Sequence, residues 1–164
     1  MPMPARAYRD RTRTVATQAM KCLIQRVTSA SVMVDNKVVG KIGSGLLVFI
    51  GIQPDDTDER VARMAKRLLN YRLFSDTKGK MNLSVVDTGG SILAVSQFTL
   101  AADTDSGNRP SFSKAASPAL AKHCYEALVG ALVASGAPTA TGQFGADMQV
   151  SLNNDGPVTF LLEG

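Results

Sequence analysis

From Met20 onward the chain alternates apolar and polar positions in short pieces. Residues 21–27, 31–35 and 37–42 are rich in β-branched side chains and bounded by turn residues, the pattern of half-buried strands. Asp35-Asn36 has hairpin-turn chemistry. Residues 45–52 break the alternation: a Leu, Val, Phe and Ile run without a charge predicts a central strand buried on both faces. The period then lengthens. Asp55, Asp56, Thr57, Asp58 and Glu59 place cap-type and acidic residues ahead of Val61, Met64, Ala65, Leu68 and Leu69, which predicts an amphipathic helix of about four turns. Ser117-Pro118 opens a second helix through Leu120, Cys124, Ala127, Leu128, Ala131 and Leu132, and Gly136 and Pro138 stop it.

Residues 71–74, 85–86 and 91–95 read as further strands, and 148–152 with 158–162 as a terminal hairpin. The order strands, helix, strands, helix, strands predicts an α/β (α+β) single domain, a mixed β-sheet or barrel-like sandwich packed with two main helices. Neither a helix bundle nor a doubly wound nucleotide fold suits that order.

At 164 residues and 45% hydrophobic, the chain is long enough for one domain with its own core. No apolar run reaches the ~18 residues of a membrane span. Cys22 and Cys124 lie far apart outside any CxxC pair, which argues against a disulfide scaffold, and with a single His123 they make a structural zinc site a poor fit. No cofactor is implied. The net charge of +4 resembles a nucleic-acid signal until it is divided along the chain. Arg6, Arg9, Arg11 and Arg13 against Asp10 put +3 before Lys21, and the remaining 14 basic and 13 acidic residues leave +1. A body this near neutral has no broad basic face for indiscriminate phosphate binding. Residues 1–19 are expected to be a disordered or non-native extension, and residues 20–164 the folded domain. Arg-rich, acid-poor composition in that leader also suits an organellar transit peptide, but it lacks the apolar core of a secretory signal.

Several motifs fail. Gly40, Gly43 and Gly45 precede a strand, whereas a dinucleotide loop follows one and opens a helix. Lys78-Gly79-Lys80-Met81 lacks the glycine spacing and hydroxyl of a phosphate loop, and Asn82-Leu83-Ser84 is a glycosylation sequon only in a secreted protein. His123 lies off the apolar stripe of the second helix, with no serine at helical spacing, so no catalytic triad can be built on it.

Two segments carry more. Ser96-Gln97-Phe98-Thr99-Leu100 ends a hydrophobic strand in hydroxyl and amide groups, at the place where sheets present backbone N–H groups to ligands; the plain alternative is a strand running into a polar loop. Asn153-Asn154-Asp155-Gly156-Pro157-Val158-Thr159 sets turn residues and a proline before an apolar strand. Proline accepts the cis form at a cost of only about 0.5 to 1 kcal/mol, and a cis Gly156-Pro157 bond would aim two consecutive carbonyls in one direction, a rigid acceptor for an ammonium group. An ordinary tight turn is the alternative.

Both segments, with Gln25-Arg26-Val27, Ala30-Ser31-Val32, residues 43–48, Phe74-Ser75-Asp76, Gly79-Lys80-Met81-Asn82, Arg109-Pro110-Ser111-Phe112 and residues 146–150, resemble in order and spacing the D-aminoacyl-tRNA deacylase (D-Tyr-tRNA deacylase) family from Met20 to Glu163. The leader has no counterpart in that pattern. The resemblance implies a cytoplasmic homodimer that hydrolyses the ester joining a D-amino acid to the 3′-terminal adenosine of tRNA, a chiral proofreading step in translation. It implies that Ser96, Gln97, Phe98 and Thr99 line the pocket, and that Gly156 and Pro157 enter it from the partner subunit, braced by Arg26. Backbone N–H groups near Gln97 and Phe98 would serve as oxyanion donors. Phe144 and Met148 are candidates to hold the adenine, with core packing as the competing role, and Lys78, Lys80 and Arg109 are candidate phosphate contacts. A non-catalytic nucleic-acid-binding dimer would use the Arg-rich leader but leave residues 96–99 and Gly156-Pro157 without a purpose. A general esterase would need the triad or metal set that the sequence lacks.

Overall fold

One 14-residue strand, β1 (Lys21–Val34), runs through both of the first two predicted pieces and organises the sheet. In the computed structural model, which describes residues 19–164, β1 pairs antiparallel with three neighbours. Its first half meets β3 (Gly45–Gly51), its second half meets β2 (Lys37–Ile42), and its other edge carries β8 (Gln149–Glu163) along its length. The Asp35-Asn36 turn forms as expected, both residues at positive φ (49° and 63°), the backbone of a tight hairpin turn. The extension expected over residues 1–19 lies, Ala19 apart, outside the described residues.

Beyond β3 the connections become parallel. β6 (Ser91–Ser96) runs parallel to β3, and the short β7 (Thr139–Thr141) parallel to β6, giving the order β2-β1-β3-β6-β7. The sheet curls until β2 approaches β7: a Cβ at Gly40 would collide with the Thr141 carbonyl, so only glycine permits this near-closure. The result is a mixed, barrel-like sheet with helices on its outer face.

The apolar run of β3 fills two cores at once. Leu46, Val48 and Ile50 face outward under α1 (Asp58–Asn70) and α3 (Pro118–Ala134), with Cys22, Ile24, Ile92, Met64, Leu68, Leu128 and Leu132. Leu47 faces inward with Val27, Val32, Leu93 and Val95. Each fully buried Leu or Ile contributes about 1.5–3 kcal/mol relative to exposure. Both helices start as their sequences dictate. The Thr57 hydroxyl accepts from the Arg60 N–H and Ser117 from the Leu120 N–H, with Pro118 in the first turn of α3. Tyr125 of α3 donates to the Ala94 carbonyl of β6 (2.9 Å), fixing helix to sheet. No helix among the described residues is long and apolar enough to cross a membrane.

Three expectations are corrected. Residues 149–152 and 158–162 belong to one strand, which Met148 precedes, because the register against β1 resumes on both sides of the interruption. Val85 and Val86 open a four-residue helix, α2 (Val85–Thr88), because Ser84 and Asp87 form a reciprocal capping box: the Asp87 N–H donates to Ser84 Oγ (3.1 Å) and the Ser84 N–H to the Asp87 carboxylate (2.9 Å). Of residues 71–74 only Phe74 is strand, in a small hairpin of β4 (Phe74–Ser75) with β5 (Met81–Leu83).

Where β1 begins, the buried Asp56 carboxylate accepts from the N–H of Met20 (3.0 Å) and of Gln53 (2.7 Å). Burial raises its pKa above the ordinary carboxylate value, an effect these two hydrogen bonds oppose. Asp56→Ala leaves two buried donors without an acceptor and should lower stability by about 2 to 4 kcal/mol, measured as a fall in the urea midpoint at constant slope; Asp56→Asn, which keeps one acceptor, should fall between.

Candidate active site

A cleft of about 690 Å³ opens at the carboxyl ends of the parallel strands β3 and β6, where open α/β sheets place their ligands. Its floor is Phe49 and Ile50 of β3 with Val95 and Ser96 of β6. One wall is the turn that follows β6, and the other runs from Phe144 to Met148. The first residues of α3, with Ala115 and Ala116 before them, close the third side. The lining is mostly apolar, and Asp147 is its one carboxylate among the described residues.

The turn wall results from a change of backbone partner. The Gln97 N–H donates to the Ile50 carbonyl (2.8 Å), extending the β3–β6 ladder by one bond. Residues Phe98–Ala101 then tighten into a 3₁₀ turn, with the Leu100 N–H on the Gln97 carbonyl. The N–H groups of Phe98 and Thr99, at the start of that turn, have no acceptor among the described residues. Gln97 Nε2 donates to Thr99 Oγ1 (3.1 Å), and among the described residues no ionisable side chain is hydrogen-bonded to that hydroxyl. Of the N–H groups near Gln97 and Phe98 expected to serve as oxyanion donors, that of Gln97 is engaged and those of Phe98 and Thr99 are open.

The second segment forms a different kind of site. Gln25 pairs with Thr159 and Val27 with Asn154, so residues 155–158 bulge out of β8 opposite Arg26. Gly156 sits at φ 136°, and its bond to Pro157 is cis. Asn154 holds the neck, accepting from the Val158 N–H (3.0 Å) and donating to Thr159 Oγ1 (2.9 Å). Arg26 reaches the bulge through Nε to the Asp155 carbonyl (3.1 Å) and carboxylate (3.4 Å), while Nη1 donates to the Leu73 carbonyl (2.9 Å).

Within one chain these two constellations do not meet. Arg26 lies opposite Leu46, four residues before the Ile50 end of β3 where the cleft opens. At ~3.3 Å per residue the two sites are roughly 13 Å apart along the strands, with β1 between β8 and β3.

A family model described as D-Tyr-tRNA(Tyr) deacylase matches residues 23–163. A D-aminoacyl-tRNA deacylase of Shewanella denitrificans is 58% identical over 144 residues, covering 88% of this chain and 99% of that one. The D-aminoacyl-tRNA deacylase of Teredinibacter turnerae is 56% identical over the same shares. The chain belongs to the D-Tyr-tRNA deacylase family. Among solved structures, one described as c-Myc DNA unwinding element binding protein superposes with a TM-score of 0.84 at 41% identity, over 88% of this chain and 98% of that one. Another, described as a probable eukaryotic D-amino acid tRNA deacylase, gives 0.78 at 19% identity over 88% and 99%, a likeness of fold.

Of the deacylase residues anticipated from the sequence, Ser96, Gln97, Phe98, Thr99, Phe144 and Met148 come together in the cleft. Arg26, Gly156 and Pro157 come together at the bulge. Phe144 and Met148 both line the cleft and pack on the cores, Phe144 with its ring 5.8 Å from Tyr125. Lys78 and Lys80 sit on the exposed β4–β5 turn and Arg109 on the loop before α3, none of them lining the cleft. His123 is exposed and pairs with Asp58 at the start of α1 (2.8 Å), away from the cleft. The Asn154 clamp, the Arg26–Asp155 pair and Gly51 had not been singled out as site features. Only the bulge gives the first two a role, and nothing in residues 153–159 announces a bulge rather than a hairpin turn.

Gly51 lies directly beneath the 3₁₀ turn, where an added Cβ would come within 2.8 Å of Leu100 Cβ and 3.3 Å of the Gln97 carbonyl. Gly51→Ala should therefore cost about 1–3 kcal/mol and move the amide resonances of residues 97–101, while those of residues 155–158 stay in place.

Proposed function

We propose that this chain hydrolyses the ester of D-aminoacyl-tRNA, releasing a free D-amino acid and tRNA, and thereby removes mischarged D-residues before translation. The observation that carries this reading is the pair of unpartnered N–H groups on Phe98 and Thr99, at the mouth of an apolar cleft, in a chain of the deacylase family. An aminoacyl ester is already activated, so positioning and two donors aimed at the developing oxyanion can supply much of the rate. Thr99 Oγ1, held by Gln97 and without a base, suits the placing of a water molecule better than nucleophilic attack. The remaining proton transfer falls to the ribose 2′-hydroxyl of the substrate. Phe144 and Met148 would hold the terminal adenine.

Stereochemical selection needs an anchor for the substrate ammonium. The Gly156 and Pro157 carbonyls lie outside the β1–β8 ladder, on an exposed bulge too far from their own cleft. We assign them to the cleft of a second copy, which makes the working unit a homodimer with two shared sites. With the ammonium held there and the ester carbon at the oxyanion donors, an L side chain would strike the wall. Side-chain identity goes unread, so D-Tyr and D-Asp esters should both react, and glycine should fit. The near-neutral body suits recognition of the 3′ end alone, in the cytoplasm where aminoacyl-tRNA is used.

Matched D-Tyr-tRNA and L-Tyr-tRNA test the reading: only the D ester should be cleaved, by a species that sediments as a dimer, and equal cleavage of both would overturn it. Thr99→Ala should lower kcat by less than about tenfold, as the loss of one positioning hydrogen bond does. Loss below detection with the fold intact would instead indicate a covalent acyl-threonine. A substrate ending in 2′-deoxyadenosine should react at least about 10²-fold more slowly.

A further inference from the structure

The only two exposed phenyl rings among the described residues stand together at the edge of the cleft: Phe98 is 65% and Phe112 40% exposed, with ring centroids 5.3 Å apart. Phe98 lines the cleft, whereas Phe112 does not, so the pair carries the apolar surface of the site outward past its rim. Its position is built in. Asp103 and Ser111 exchange both backbone hydrogen bonds (2.9 Å each), pinning the two ends of the 103–111 loop and setting Phe112 against Phe98. Two adjoining exposed rings on a loop tied down this way make one fixed apolar patch, the kind of surface that marks a binding site.

We propose that Phe112, backed by Phe98, is the stacking platform for the nucleobase that precedes the terminal adenosine of the substrate tRNA. The assignment rests on the deacylase reading above and deepens it. A cleft of about 690 Å³ is the size that encloses one small-molecule ligand, here the adenosine with its aminoacyl group. The nucleotide before it must lie outside, at the rim. Single-stranded RNA ends are held there by aromatic faces on which splayed bases stack, with cations on the flanking phosphates. Arg109, exposed and three positions before Phe112, puts a cation on the same pinned loop. Stacking tolerates any base, as a protein acting on tRNAs that share only their 3′ ends requires.

The test compares D-Tyr-tRNA with the 3′-O-D-tyrosyl ester of adenosine alone, which lacks the preceding nucleotide. Phe112→Ala should raise KM for the tRNA by about tenfold with kcat retained, a factor in the range of one lost base–aromatic stack. The rise should be at least fivefold larger than any effect on the adenosine ester, and Phe112→Tyr should restore the wild-type KM. Equal losses on both substrates, no loss on either, or a change in sedimented mass showing that a second copy covers the ring would each overturn the platform while leaving the deacylase reading intact. A wild-type protein inactive on both esters would overturn that reading and the platform with it.

Discussion

The Gln97–Ile50 hydrogen bond is the point from which the rest of the cleft follows. It is the last bond added to the β3–β6 ladder, and it commits the backbone to leave the sheet at a fixed place. Because β3 and β6 are buried on both faces, neither can slide to accommodate a different exit. The chain then turns tightly, and the orphan donors that any helical start exposes fall on Phe98 and Thr99. Gly51 allows this by lacking a side chain where the turn crosses β3. The sheet and the turn fix both amides in place, so in the proposed role they need not move to meet a developing charge, which is where electrostatic stabilisation is strongest.

Elements that bury apolar surface on a regular period were legible in the sequence. The doubly buried run of β3, the capped α1 and the Ser117-Pro118 opening of α3 all stand where the pattern put them, since propensity, capping and burial point the same way at each. The turn at Asp35-Asn36 was readable because its residues suit positive φ. Reading failed where a local signal had two outcomes. Val85-Val86 carries strand propensity, but the Ser84–Asp87 capping box decides for helix, and four residues are too few to show a period. Asp155-Gly156-Pro157 reads as a turn, yet the long register of β8 on β1 absorbs it as a bulge.

The site divided in the same way. Ser96 to Thr99 was visible as polar residues at the end of an apolar strand, whereas which amides stay unpaired depends on Ile50, more than forty positions away in sequence. The bulge depends on Arg26, whose guanidinium bridges Leu73 and Asp155, three segments that no local window brings together. Long-range pairing, not side-chain identity, set the limit.

Proton transfer is the remaining constraint on the chemistry. The other nucleophilic side chains near the sheet are held neutral: burial pushes the Cys22 thiol up to about 12 and raises Cys124, and it pushes Tyr125 to about 12 while its hydroxyl donates to Ala94. Cys22 and Cys124 lie inside the helix-side core, and His123 is tied to Asp58 at the helix pair. In the cleft itself Ser96 and Thr99 supply hydroxyls and Asp147 the one carboxylate among the described residues, and the Thr99 hydroxyl is held by an amide with no capacity to accept a proton. On the proposed reading the ester brings its own proton-transfer group, the ribose hydroxyl adjacent to the scissile bond. On that reading the protein's own task is to hold the ester and exclude the wrong hand, which rigid main-chain donors and acceptors are suited to do.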